Sequence, residues 1–261
     1  MDLGIKKKVA LITGSSQGIG KAIAIGFAEE GARVVVCGRN KNTLSSTVDE
    51  IKDKTGADIV SFQTDLTKTQ DIKNLFQLTN EQFNTIDILI NNTGGPPSLF
   101  FEQTNLSHWK NAVDQLLYSM ITCCSEAILI MKEHKWGRII NMTSIAAKQP
   151  IKKLILSNTI RSGILGFTKT LANEIGKYGI CVNAICPGFT LTKRVEELAE
   201  SLSSENTNRN VMKEWAEHIP LGRLANPEEI ANMVVFLSSE RASYITGNAI
   251  QVDGGYYTGI L

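Results

Sequence analysis

The first residues in this chain with an evident capacity for chemistry are glycines. Thr13-Gly14-Ser15-Ser16-Gln17-Gly18-Ile19-Gly20 closes the apolar run Val9 to Thr13 and opens a helical-pattern stretch from Lys21 to Glu30. Backbone without side chains lets a diphosphate approach peptide N–H groups closely. A helix starting at such a turn adds unpaired N–H groups and the positive end of its dipole. Gly14, Ser16, Gln17, Gly18, Ile19 and Gly20 are therefore candidate phosphate-binding residues; the alternative is a tight turn that binds nothing. Roughly twenty residues beyond the glycines, where an acidic side chain would accept the ribose hydroxyls of NAD, stands Arg39. A guanidinium suits a 2′-phosphate, so NADP(H) is favoured over NAD(H). An Arg39 that is solvated or stacked on adenine is the competing reading.

Such a turn works only if a strand and a helix hold it, and the rest of the chain supplies both in repetition. Short runs rich in Val and Ile alternate with longer amphipathic stretches as far as about Leu237, which is the pattern of successive βαβ units. Seven strands are expected: Val9 to Thr13, Arg33 to Cys37, Ile59 to Gln63, Ile86 to Asn91, Gly137 to Met142, Ile180 to Ile185 and Asn248 to Val252. Their near-continuous apolarity predicts a parallel sheet covered by helices on both faces, an α/β doubly wound arrangement of the Rossmann type. No proline-rich or glycine-serine linker and no internal repeat divides the chain, so residues 1–261 are expected to form one domain. The least apolar stretch, Ser201 to Asn210, lies in a segment (193–215) without a readable motif. It reads either as a lid over a substrate pocket or as a solvated surface loop.

Bulk properties exclude several partners. Lys plus Arg (27) nearly cancels Asp plus Glu (26), for a net charge of +1; nucleic acid and anionic membranes call for a basic excess that is absent. A small-molecule ligand is expected instead. The cysteines, Cys37, Cys123, Cys124, Cys181 and Cys186, lack CxxC spacing, and read as reduced, mostly buried thiols. His108, His134 and His218 stand far apart in sequence, so no metal is expected. The apolar stretch behind Lys6 to Lys8 is too short for a signal sequence or a membrane span, and the expected location is cytoplasmic.

These residues, taken with several farther on, resemble the short-chain dehydrogenase/reductase family, in particular its 3-oxoacyl-acyl-carrier-protein reductase-like branch. Thr13-Gly14 through Gly20 looks like the family's TGxxxGxG motif, and Asp65-Leu66 like its adenine-binding acidic pair. Asn91-Asn92-Thr93-Gly94 is similar to its NNAG element. Pro187-Gly188-Phe189-Thr190-Leu191-Thr192 resembles the PGxxxT segment that holds the nicotinamide carboxamide. Asp65, Leu66, Asn92, Gly94, Pro187, Gly188, Thr190 and Thr192 thereby join the candidate cofactor-binding set. Pro220-Leu221-Gly222-Arg223, Pro227-Glu228-Glu229, Gly247 and Val252-Asp253-Gly254-Gly255 look like the family's C-terminal signature, although Gly254 and Gly255 could simply end a strand. The resemblance implies a homo-oligomer, dimer or tetramer, with hydride chemistry at a carbonyl or hydroxyl carbon.

It also implies a catalytic set of Ser, Tyr, Lys and Asn, with Tyr and Lys spaced four apart on one helix face. Ser144 matches the serine. The tyrosine position falls on Ser157, the lysine position on Arg161 and the asparagine position on Leu116, with Gly166-Phe167-Thr168-Lys169 anchoring the register. A serine hydroxyl is shorter than a phenol and a far weaker acid. Arg161 keeps its proton near neutral pH but can still donate hydrogen bonds, for instance to the nicotinamide ribose. Lys148, four residues past Ser144, is a candidate proton donor or anion anchor, or else a solvated loop lysine; Lys152, Lys153 and Tyr118 are further options. Two functions stay open: an oxidoreductase with a non-standard proton donor, or a catalytically impaired NADP(H)-binding module that acts as a sensor or partner.

Overall fold

A computed structural model describes residues 1–203 and 210–260. The first two strands, β1 (Val9–Ile12) and β2 (Arg33–Gly38), pair in parallel, with Val9 opposite Arg33 and Ile12 opposite Val36. Between them runs α1 (Gly18–Glu29), which buries Ala22, Ile23, Ala24, Phe27 and Ala28 against the sheet. The unit repeats through α2 (Lys41–Thr55), β3 (Ile59–Gln63), α3 (Thr69–Phe83) and β4 (Ile88–Asn91). Next come α4 (Leu106–Val113), a π-helical turn (Asp114–Tyr118), α5 (Ser119–His134) and β5 (Gly137–Met142). The chain continues with α6 (Ile155–Ile175), β6 (Ile180–Pro187), α7 (Lys193–Ser203), α8 (Val211–His218), α9 (Pro227–Leu237) and β7 (Ala249–Val252).

The seven strands form one wholly parallel sheet in the order β3-β2-β1-β4-β5-β6-β7. The order reverses between β1 and β4, and the crevice at the carboxyl ends of those strands is where such folds bind ligands. Each face carries its own core. Ala10, Ile12, Val34, Val36, Ile88 and Ile90 pack under α1, α2 and α9, whereas Val9, Leu11, Val35 and Leu89 pack under α3, α5 and α6. Strand residues thus alternate between two apolar layers, which accounts for their unbroken apolarity. The α4–α5 run, Leu106–His134, is by length and composition apolar enough to cross a membrane. Here Leu116, Met120, Cys123, Cys124, Ala127 and Met131 on that run are packed into the second core.

Observed strand limits lie within two residues of those expected; β4 begins at Ile88 and β7 at Ala249. Segment 193–215 has α7 before and the start of α8 after residues 204–209, which lie outside the described residues. Most of the Ser201 to Asn210 stretch falls there. The strand layer also carries a buried polar chain: Asn91 Nδ2 donates to Asn141 Oδ1 (2.9 Å), and Asn141 Nδ2 donates to Thr168 Oγ1 (2.9 Å). It ties β4 and β5 to the middle of α6.

Candidate active site

The glycine turn is built by exclusion. Gly14 has φ +55°, and a Cβ there would stand 2.6 Å from the Asn92 carbonyl oxygen. A Cβ on Gly20 would lie 2.4 Å from the Gly14 oxygen and 2.6 Å from Asn92 Nδ2. Only glycine fits either place. Asn92 Nδ2 donates to the Thr13 and Gly14 carbonyls (3.2 and 2.9 Å), and Thr13 Oγ1 exchanges hydrogen bonds with the Asn92 backbone at 2.8 Å. Buried Ser15 fastens the turn to β2 by accepting from the Cys37 N–H (3.0 Å). Gln17 caps α1 without a side-chain hydrogen bond, and the first turn of α1 holds no acid, so its N–H groups remain available to an anion.

From this turn one cleft of about 430 Å³ runs across the carboxyl ends of the strands. Its outer end is lined by Arg39, Asp65 and Leu66, and its middle by Gly14, Ser16, Gln17, Gly18, Ile19, Gly20, Asn92, Gly94, Pro187, Gly188, Thr190 and Thr192. Ser144, Ser157 and Arg161 line the inner end. Every sequence-expected cofactor residue therefore reaches one cavity. Asp65 Oδ1 accepts from the N–H and hydroxyl of Thr67 (3.1 and 2.8 Å). Burial works to raise this carboxyl, but the Thr67 bonds and then the charges of Lys68 and Arg39 outweigh it and hold it below the usual range. Thr190 is buried and donates to the Gly188 carbonyl, while Thr192 donates to the Thr190 carbonyl; Thr192 also packs against Gly18.

At the inner end Ser144 accepts from the Ala146 N–H (3.1 Å). Ser157 and Arg161 are each only 7% exposed. One turn apart on α6, they face each other, and Arg161 Nε donates to Ser157 Oγ (3.1 Å). Arg161 Nη1 donates to the carbonyls of Met142 (3.1 Å) and Thr143 (2.8 Å) at the end of β5. Nη2 has no partner among the described residues. Burial, and after it the charge of Arg194, lowers this guanidinium to about 10, which leaves it charged at neutral pH.

The four proton-donor options do not join this group. Lys148, Lys152, Lys153 and Tyr118 are absent from the cleft wall. The Lys148 ammonium lies over the Tyr257 ring (5.7 Å to its centre), those of Lys152 and Lys153 over Phe100 (5.6 Å each), and Tyr118 is exposed. Four-residue spacing from Ser144 fails to aim Lys148 inward because the chain between them is a single 3-10 turn, Ile145–Ala147. Leu116 sits in the core, and the π-helical turn brings its neighbour Gln115 to the cleft, where Nε2 donates to the Gly94 carbonyl (2.9 Å). Gln115, Lys193 and Arg194 line the cleft without any sequence motif to announce them. Arg194 Nη2 reaches back to the Pro96 carbonyl. Among the described residues no group of His, Cys, Asp and Glu could hold a metal.

A parallel seven-stranded sheet with a glycine cradle at its order reversal is the arrangement of a dinucleotide-binding scaffold. The family model described as enoyl-(acyl carrier protein) reductase matches residues 14–257, and the chain belongs to the short-chain dehydrogenase/reductase family. It is 34% identical over 257 residues to 3-oxoacyl-[acyl-carrier-protein] reductase FabG of Aquifex aeolicus, covering 98% of this chain and 100% of the relative. L-sorbose reductase of Gluconobacter frateurii, solved with NADPH and L-sorbose, superposes with a TM-score of 0.95 at 35% identity and full coverage of both chains. A variant of actinorhodin polyketide ketoreductase, solved with NADPH, gives 0.93 at 30% identity, covering 97% of this chain and 98% of the other.

Proposed function

We propose that this protein is an NADP(H)-dependent oxidoreductase acting on a carbonyl or hydroxyl group of a small molecule, with a non-standard proton donor. The observation that carries this reading is the single cleft joining the glycine turn, Arg39 and the Ser144–Ser157–Arg161 group. The residues present fit a nicotinamide nucleotide. Gly14 and Gly20 leave a hollow that any Cβ would fill, the start of α1 offers uncapped N–H groups, and Arg39 at the outer end suits a 2′-phosphate. A nucleotide held there supplies the hydride. Ser144 orients the substrate oxygen, and Arg161 Nη2 donates to a ligand oxygen at the inner end.

Positions 116, 157 and 161 are read as the family's Asn, Tyr and Lys positions, here Leu, Ser and Arg. Ser157, which accepts from Arg161, keeps its own O–H but is a far weaker acid than a phenol, and Arg161 stays charged, so water entering the cleft is the proton source in this reading. Helices α7 and α8 support the reading of 193–215 as a lid. Val195 and Leu198 of α7 line the cleft, and Leu198, Ala199 and Leu202 pack with Val211 in a cluster separate from both main cores. A homo-oligomer, dimer or tetramer, is supported by exposed Tyr118 and Leu129 on the α4–α5 run. The near-zero net charge supports a protein that engages neither nucleic acid nor anionic membrane, and the five free, buried cysteines support a reducing, cytoplasmic compartment.

The test is paired calorimetric titration with NADPH and NADH and turnover against ketones, 3-oxoacyl thioesters, aldehydes and sugars. NADPH binding with slow turnover on one class is expected; absence of saturable nucleotide binding by folded protein refutes the proposal. A second reading, a catalytically impaired NADP(H)-binding module, is favoured by the placement of Lys148 over Tyr257, outside the cleft. Tight binding with no turnover on any class would select it.

A further inference from the structure

The charges along the cleft are unevenly distributed. Its wall carries Arg39 and Asp65 at the outer end, and Arg161, Lys193 and Arg194 at the inner end. Asp65 is the lone carboxylate among the described lining residues, and it lies at the far end from Arg161. None of the three inner cations has an ion-pair partner among the described residues. For Arg161 this is costly: a buried charge is normally paired, yet its partners among the described residues are two carbonyls and a hydroxyl. Its remaining donor, Nη2, has no partner among the described residues, and the residue borders the cleft. Arg194, at the start of α7, raises the positive potential there; its own charge is strong enough at Arg161 to help depress that guanidinium. A Cβ on Gly95 would lie 3.2 Å from Arg194 Nε, which places this second guanidinium beside the loop after β4 on the opposite wall.

We propose that the inner end of the cleft binds an oxyanion, a carboxylate or phosphate carried by the substrate near its reacting carbon, through Arg161 Nη2 and Arg194. This deepens the oxidoreductase reading and rests on it for the identity of the ligand as substrate. The anion supplies the countercharge that the fold withholds, and the planar fork of Arg194 suits two of its oxygens. Its arrival exchanges the Arg194–Pro96 contact for a charge-assisted one and so draws the start of α7 toward the ligand. Compact oxo acids or phosphorylated carbonyl compounds are the class selected, in preference to neutral ketones.

Matched probes test this on the whole chain by calorimetry: acetoacetate against methyl acetoacetate, and dihydroxyacetone phosphate against dihydroxyacetone, each with and without saturating NADPH. At least one charged probe is expected to bind tenfold or more tighter than its neutral partner, the scale of one charge-assisted hydrogen bond. Which pair shows it decides between carboxylate and phosphate. Arg194→Gln should pull that ratio toward one with little change for the neutral compound, and Arg161→Met should weaken the charged probe more than the neutral one. Equal binding within both pairs, a preference that survives Arg194→Gln, or displacement of the charged probe by NADPH overturns the proposal. Should Arg161→Met fail to fold, the exposed Arg194 variant decides alone. Nucleotide titration in the same protein reads separately, so loss of NADPH binding and loss of anion selectivity are distinguishable failures.

Discussion

If positions 157 and 161 stand where the family has Tyr and Lys, as proposed, then Ser157→Tyr with Arg161→Lys tests whether the inner end lacks only an acid. Ser157 stands on the wall of a cleft of about 430 Å³, so a phenol there projects into open space rather than into the core. A positioned general acid is worth roughly 10²–10⁴ in rate, which is about 3–5 kcal/mol of barrier at about 1.4 kcal/mol per tenfold. The gain has a structural cost. Arg161 serves Met142 O, Thr143 O and Ser157 Oγ at once, and a lysine cannot reproduce that fork. At about 1–3 kcal/mol for a buried acceptor left bare, we expect a loss of about 2 kcal/mol, or about 4–8 °C in Tm for a chain of this length. NADPH oxidation against acetoacetyl thioester and L-sorbose, beside thermal unfolding and nucleotide titration, gives the three readings. A double variant that folds and binds NADPH yet turns over no faster than the parent would show that the missing acid is not what limits this site.

Gly20→Ala should abolish nucleotide binding while leaving the fold intact, because its Cβ meets the Gly14 oxygen and Asn92 Nδ2 at 2.4 and 2.6 Å and must distort the cradle; unchanged NADPH affinity would refute the placement of the diphosphate. Arg39→Ala should weaken NADPH roughly 10–100-fold, the worth of a charge-assisted contact, and NADH by less than about threefold, since among the described residues Arg39 is bonded through its backbone carbonyl, which accepts from Gln63, and not through its guanidinium. Equal losses for both nucleotides would remove Arg39 from 2′-phosphate recognition. The thiols should resist Ellman's reagent at pH 8: all five are buried, and burial pushes Cys37 and Cys124 up to about 12. Their reactive thiolate grows only as pH climbs toward that value, so rapid labelling of native protein at pH 8 would contradict the packing.

Sequence legibility follows the range of the interactions involved. The seven strands are readable because nearly all carry apolar side chains into two cores, an imprint that four to eight consecutive residues record. The cradle was readable for the same reason, since Gly14 to Gly20 lie in one turn. Ser157 and Arg161 enter only through the family resemblance, and their four-residue separation on α6 does bring them together. Lys148 shows where this reasoning stops: beyond the end of a regular helix or strand, spacing carries no direction, and its side chain rests on Tyr257. Arg194 and Gln115 are close to Arg161 only because β4, the π-helical turn and α7 converge, and no local pattern encodes that convergence.

The chain of amides from Asn91 through Asn141 to Thr168 grips α6 two turns beyond Arg161. The helix that bears Ser157 and Arg161 is thus secured by residues that do not line the cleft. Positions 157 and 161 are free to vary in kind while the frame beneath them stays put, so close superposition on a working reductase reports on the anchorage and is silent about the tool mounted on it.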